Sequence, residues 1–471
     1  MKAAMLFIFT FACLTSLGVC FGNTDEFVNR GIQVEQVVDV APVWSGHQVG
    51  FALLTHGQRQ LVAFYDSDRQ MTVGTRQLNS TMWHLVRLPL PSDKFAHQQT
   101  HPPITTLGWD SHNYVTLAVD REDQIHISGN MHGTPLLYFC TTQPMEIDSL
   151  RWVPSMTGQR EEQCTYPRFL LGAQGELLFT YRDGKSGSGD QIINQYDTKK
   201  TTWSRLFDQP LFSGQGKMNA YFMGPVRDRS GVFHICWVWR DSPDCATNHD
   251  LCYAQSADLI HWTTSSGKPL TLPITADTAE VVDPVPSGGG IINNNTLIGF
   301  DSKGRPVITY HKFDSNGNTQ LYNARREDQG WQIYQTSDWT YRWDFHGGGS
   351  IPFKITFGPV AVDDNGNLMQ SYHHVQYGSG VWQLDEDTLK PVSQADDKAT
   401  LWNSIPPELN KVESEHPNMT VNIASDLGHA DEPGVRYLLR WESLPPNRDQ
   451  PYAGDLPKPS MLRLYKLRMP L

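Results

Sequence analysis

From about residue 50 onward the chain sets apolar against polar positions in short runs, and helical periodicity is hard to find. One pattern recurs: a short apolar strand, a polar turn carrying Asp, Asn or Gly, then a second strand rich in aromatics. It reads as GFALLTHGQRQLVAFYD, VTLAVDREDQIHISG, RFLLGAQGELLFTYRDG, GPVRDRSGVFHICWVWRD, IGFDSKGRPVITYHKFD and GPVAVDDNGNLMQSYHH, with a partial copy in RYLLRWESLPP. Several copies are followed by a third strand (LLYF, INQYD, LCYAQS, QLYNARR) and some by a fourth with Trp (WQIYQ, MWHLVRL). Alternation broken by turn residues marks antiparallel strands, and repetition at roughly 50 to 70 residues marks a β-propeller. Seven copies fill the chain, which predicts an all-β fold, a seven-bladed β-propeller of four-stranded antiparallel blades. A pair of β-sandwiches is the alternative, but it leaves the recurring hairpin unexplained. The stretch PVPSGGGIINNNT (284–296) then reads as an inter-blade loop rather than a linker. A single domain over 23–471 is expected.

Ahead of that domain, MKAAMLFIFTFACLTSLGVCFG (1–22) has the parts of an export signal: Lys2, an apolar run, and small residues near a cut after Gly22. The run is short for a membrane span and lacks a following basic stop. LGV before Cys20 weakly resembles a lipoprotein box. The expectation is a secreted protein without a transmembrane segment, periplasmic or lipid-tethered as variants, and a monomer. A formal charge of −12 argues against nucleic-acid binding. It leaves an anionic substrate open, because a few Arg and Lys reverse the sign inside a cleft. Fourteen Trp suit sugar binding and a β-rich core equally. Past residue 22 the cysteines are Cys140, Cys164, Cys236, Cys245 and Cys252, an odd count that excludes a disulfide-built scaffold and leaves one or two bridges open.

In a propeller, residues just past the second strand of each blade converge over the central channel. His132, Arg182, Arg240 and His311 all occupy that repeat position. His126, inside its strand, reads as structural, and so does Tyr181. With His112, Tyr166 and Tyr221, the cleft would hold imidazoles, phenols and guanidiniums rather than the two facing carboxylates of glycoside hydrolysis. That set suits β-elimination at a uronic acid. A cation must hold the carboxylate and stabilise the enolate-like intermediate, a base must remove the C5 proton, and an acid must protonate the leaving oxygen. Arg, His and Tyr supply all three with no catalytic cofactor. The bland reading of a strand-end Arg is an ion pair with a neighbouring blade, Arg240 beside Asp241 included.

HICWVWRDSPDCATNHDLCYAQ offers zinc-type donors without a standard ligand spacing. A structural zinc on His249, Cys252 and a distant His311 is one reading, and buried neutral thiols are the other. FHGGGSIPF (345–353) lacks the strand–turn–helix context of a phosphate loop. His47 and His56, from the first blade, read as a second site on the opposite face or as blade closure.

The ordered set DSHN, GNMH, TYPRF, TYRDG, MNAYF and WVWRDSPDCATNHDLCYA resembles the secreted seven-bladed propeller polysaccharide lyases that degrade ulvan, the sulfated rhamnose–uronate polymer of green algae. The likeness covers most of the chain past residue 22 and extends to propeller α-L-rhamnosidases and rhamnosyl-glucuronate lyases. It implies that Arg182 neutralises the uronate, that His112 and Tyr166 carry the proton transfers in an order left open, and that His132 assists. Tyr221, Arg240 and Asn219 would bind substrate, an anionic polysaccharide. Structural calcium or zinc is implied as well. SADLIHW (256–262) is a degenerate relative of the sialidase Asp box, which weakens a sialidase reading. His47, in a GH-x-VGF context, keeps a rhamnosidase alternative open, and a non-catalytic sugar-binding propeller is the third.

Overall fold

The computed structural model describes residues 32–394 and 405–469; the 1–22 signal reading lies outside them. Among the described residues the strands form seven antiparallel sheets, each of at least four strands. The recurring hairpins are their inner pairs, for example Val115–Val119 with Ile125–Gly129 and Leu297–Phe300 with Pro306–Phe313. The sole α-helix among the described residues is the short Lys94–Gln98.

The Asp of each polar turn has a physical task. In six turns a carboxylate oxygen accepts from the amides two and four residues on: Asp66, Asp120, Asp228, Asp301, Asp314 and Asp363. Such a side chain satisfies amides that a tight turn leaves without a ladder partner.

The sheets follow one another in space as in sequence. Ala52–His56 packs against Val115–Val119, which packs against Cys164–Leu171, and Asn219–Arg227 packs against Leu297–Phe300. At the other end, Thr420–Ser425 returns to Ala52–His56. The seventh sheet joins the first and last described strands: Gln33–Val43 lies antiparallel to Ser460–Arg468 over Gln33 to Val43. Between sheets the core is aromatic. Phe51, just before the first sheet, stacks on Trp441 of the seventh at 4.4 Å between ring centres, and Phe212 meets Trp237 at 4.5 Å. Burying each such ring contributes roughly 1.5–3 kcal/mol. All five cysteines past residue 22 are free thiols, so the bridges left open by their count do not form here.

Candidate active site

Local turn chemistry builds the first half of the site. Asp110 Oδ1 accepts from the His112 amide at 2.8 Å, closing an Asx turn that lays the imidazole over the carboxylate. His112 Nδ1 then meets Asp110 Oδ1 at 2.7 Å, with Asp449 Oδ2 3.3 Å from the same nitrogen. His132 opens a short strand, His132–Thr134, that leaves its own sheet and pairs with the third, His132 opposite Thr165. Its Nδ1 bonds the other oxygen of Asp110. The two imidazoles lie 4.2 Å apart, centre to centre. One carboxylate therefore holds both rings by Nδ1 and leaves both Nε2 atoms directed away from it.

A bulge supplies the phenol. The ladder between Cys164–Leu171 and Leu177–Lys185 loses register between Thr165 and Arg168, and Tyr166 takes φ +59°. A bulge re-aims a side chain, and Pro167 has no amide hydrogen to leave unpaired. The Tyr166 ring centre lies 5.8 Å from that of His112, 6.5 Å from His132 and 5.9 Å from Tyr221. On its other side the Arg182 guanidinium carbon is 5.2 Å from the ring centre.

Arg182 is 2% exposed. It donates to the Tyr221 hydroxyl at 3.2 Å and to Thr165 Oγ1 at 3.0 Å. Arg240 lies 5.5 Å from the Tyr221 ring centre and donates to the carbonyls of Ser242 and Pro243 and to Asn293 Oδ1. Among the described residues neither arginine pairs with a carboxylate, so the bland ion-pair reading of Arg240 does not hold; Asp241 bonds His249 instead. Asn219, opposite Arg240 in the ladder, accepts from the Gly187 amide. Gly187 has φ +77°, and a Cβ there would sit 2.5 Å from Ser242 Cα, so only glycine lets these two loops touch.

These surroundings set protonation. Burial opposes the charged form of His112, but hydrogen bonds and charge from Asp110 and Asp449 outweigh it and raise the pKa to about 9. Burial, reinforced by Tyr221, raises the Tyr166 phenol well above its usual value, and the nearby guanidiniums offset this only in part. Tyr221 goes the other way: burial opposes ionisation, but Arg182 and Arg240, with Ser186 and Asn219, lower its pKa.

The structure thus gathers His112, His132, Tyr166, Arg182, Tyr221, Arg240 and Asn219 from three consecutive sheets. It does not gather the zinc trio. His249 and Cys252 lie on Asn248–Ser256, on either side of a bulge at Asp250, whose φ is +48°. Both His249 nitrogens meet carboxylates, of Asp250 and Asp241. Cys252 is in the core beside Trp237 and Trp239. His311 is fully buried against Trp343, Phe345 and Phe357, with its pKa lowered to about 3 by burial. Among the described residues, the one group of metal-type donors that comes together is Asp110, His112, His132 and Asp449, within 4.8 Å. Their hydrogen bonds account for that spacing, and a cation there would have to replace the bridging protons.

Of the two readings of His47, the opposite-face site does not hold. His47 is 1% exposed and packs on Trp109, the neighbour of Asp110, so it belongs to the same rim as the cleft and not to the opposite face. His56 does lie at the far rim, paired with Asp123. Sequence reasoning missed Asp110, Asp449 and Ser350, whose Oγ donates to Asp449 at 2.6 Å. Asp110 had a signal, standing two residues before His112 in DSHN; Asp449, 337 positions further on, had none.

The profile of the BNR repeat-containing family matches residues 59–339. The chain belongs to the BNR repeat-containing family. The long isoform of ulvan lyase from Pseudoalteromonas sp. (strain PLSV) is 26% identical over 145 residues, which is 28% of this chain and 14% of that protein's length. Two solved structures share the fold over nearly the whole molecule. Polysaccharide lyase Uly1 aligns with TM-score 0.58 at 14% identity, covering 92% of this chain and 99% of the other. An ulvan lyase of a new polysaccharide lyase family, bound to -[GlcA(1-4)Rha3S]-, aligns with TM-score 0.57 at 13% identity, covering 92% and 96%. No helix among the described residues is long and apolar enough to cross a membrane.

Proposed function

We propose that this protein is a secreted polysaccharide lyase that cleaves ulvan by β-elimination, leaving 4,5-unsaturated uronate ends. The observation that carries the reading is Arg182: a buried guanidinium without a carboxylate, 5.2 Å from a phenol that itself stands against two imidazoles. An unpaired buried cation is costly, and a uronate carboxylate is the partner that would offset the cost. The fold shared with two lyase structures and the short match to the Pseudoalteromonas enzyme point the same way. The seven sheets, with first and last described strands paired, support seven blades and a single catalytic domain over 23–471.

In this reading Arg182 holds the uronate and stabilises the enolate-like intermediate. Tyr166, whose raised pKa keeps it protonated, is the acid that gives its hydrogen to the leaving oxygen. His112 is the base. Asp110 and Asp449 hold its Nδ1–H, so in the deprotonated form, which grows in as pH rises toward about 9, Nε2 carries the lone pair that takes the C5 proton. His132, on the same carboxylate, assists. Tyr221, Arg240 and Asn219 line the uronate's other side, and no redox or metal cofactor is required by these steps.

A rhamnosidase acting through His47 is disfavoured by that ring's burial under Trp44 and Trp109. The test is digestion of ulvan followed in the ultraviolet. A lyase forms a C4–C5 double bond and new absorbance, whereas a rhamnosidase releases reducing rhamnose with no new absorbance. Rhamnose without absorbance, or binding without product, would refute the lyase assignment.

A further inference from the structure

Beside the cleft, Arg69 lays its guanidinium against two indoles. Its carbon lies 4.7 Å from the Trp44 ring centre and 5.0 Å from that of Trp109. All three residues are partly exposed, so a ligand can reach them. In a protein with 50 acidic residues against 38 basic ones, Arg69 forms no ion pair among the described residues, and its Nε is buried without an acceptor.. Burial alone lowers its pKa; no carboxylate raises it.

The frame around this cation is built. The Trp44 indole donates from Nε1 to His47 Nδ1 at 2.9 Å, and the His47 ring packs 5.6 Å from that of Trp109. Trp44 and Trp109 meet edge to face at 5.4 Å. Any Cβ at residue 46 would fall 2.2 Å from the Trp44 ring, so Gly46 is what lets the indole fold back. Arg69 itself takes φ +67° and its carbonyl accepts from the Leu107 amide at 2.8 Å, tying it to the segment that ends in Trp109 and Asp110. His47, with its pKa lowered to about 4 by burial and by Arg69, stays neutral and adds no competing cation. Flat indoles suit a sugar ring, and a planar guanidinium suits an oxyanion.

We infer that Arg69, with Trp44 and Trp109, forms a subsite for the sulfate ester on the sugar next to the uronate being cleaved. The inference rests on the ulvan reading, in which rhamnose 3-sulfate adjoins each glucuronate, as in the oligosaccharide of the related structure. Trp109 directly precedes Asp110, the anchor of both catalytic imidazoles, so the subsite adjoins the cleft by the chain's own connectivity.

The test pairs binding with turnover. Ulvan oligosaccharides, their desulfated counterparts and a carboxyl-reduced set are titrated by calorimetry, and the polymer is assayed by ultraviolet absorbance. Wild type is expected to bind the sulfated form about 10- to 100-fold tighter than the desulfated one, the range of a charge-assisted hydrogen bond. Arg69→Gln should erase that difference, raising KM on sulfated ulvan with kcat nearly kept, and Arg69→Lys should restore only part of it. Equal affinity of wild type for both forms, or a sulfate preference retained in Arg69→Gln, overturns the subsite. So does a preference at Arg69 that follows the carboxylate instead of the sulfate. Sulfate-selective binding without ultraviolet product would sink the lyase reading alone, and product without sulfate selectivity would sink the subsite alone.

Discussion

The second sheet and the turn before it hold two aspartate–histidine arrangements with opposite fates. In the core, His126 meets the Tyr138 hydroxyl by Nδ1 at 2.7 Å and Asp120 Oδ2 by Nε2 at 3.3 Å, with Tyr196 and Trp203 against its ring. The fourth sheet repeats the device with His234, Tyr253 and Asp228. At the rim, His112 and His132 share Asp110 by Nδ1 alone. Residue type is the same in both places. What differs is that the core histidine spends both nitrogens on the fold, whereas each rim histidine keeps one for a ligand.

The comparison breaks first at Arg182, the partner that the core triads lack. Arg182→Gln should lower kcat/KM on ulvan about 100- to 1,000-fold, the cost of one lost oxyanion contact, with an unchanged circular dichroism spectrum. A rate within a few-fold of wild type would remove the cleft's claim to chemistry.

Asp110→Asn comes next, because it unties both rim imidazoles at once. Activity in wild type should climb about tenfold per pH unit and level off near pH 9, as His112 loses its proton. Stability should move oppositely. A His pKa raised from 6.5 to about 9 on folding stabilises fully below pH 6.5, and that contribution is gone once pH passes about 9. Asp110→Asn should therefore drop the plateau rate about 10- to 100-fold and shift the rising limb toward acid. A limb that stays in place would show that another group titrates.

His126→Leu is the reverse experiment. It leaves the Tyr138 hydroxyl and the Asp120 carboxylate without their partner, at about 2 to 4 kcal/mol of unfolding free energy. The rate per folded molecule should stay at the wild-type value. Lost turnover at full stability would move the chemistry into the core.

This contrast also explains how far the sequence could be read. The hairpins were legible because Asp turns and alternation are local; His132, Arg182 and Arg240 followed from their place in the repeat, and Tyr166, Tyr221 and Asn219 from the resemblance to the ulvan lyases. Repeat position fixes where a residue sits but not whether it faces the cleft. His311 shares the place of Arg182, yet Trp343, Phe345 and Phe357 enclose it. The zinc trio failed on partners, since carboxylates hold both His249 nitrogens, Cys252 lies in the core and His311 is walled in by rings. Asp449 was invisible because it comes from a loop of the last sheet and no local pattern links it to His112.

Asp449 offers the finest cut. It follows Arg448, and both take left-handed backbone, φ +53° and +59°, a strain that persists only where the surroundings hold it. Ser350 Oγ donates to Asp449 Oδ1 at 2.6 Å and the Ser111 amide to the same oxygen at 3.2 Å, while Oδ2 accepts from the Ser350 amide at 3.2 Å and faces His112. Asn tolerates this backbone and keeps the carbonyl oxygen that Ser350 Oγ and the Ser111 amide use, so Asp449→Asn removes the charge with little change of shape, at the cost of the bond from the Ser350 amide. His112 would lose the longer of its two carboxylate contacts, 3.3 Å against 2.7 Å, while His132 keeps its own. The pH–rate limb should shift toward acid by about half a unit, and the plateau rate should fall only a few-fold. A shift as large as that of Asp110→Asn would mean that the distant loop, and not the Asx turn, governs the base.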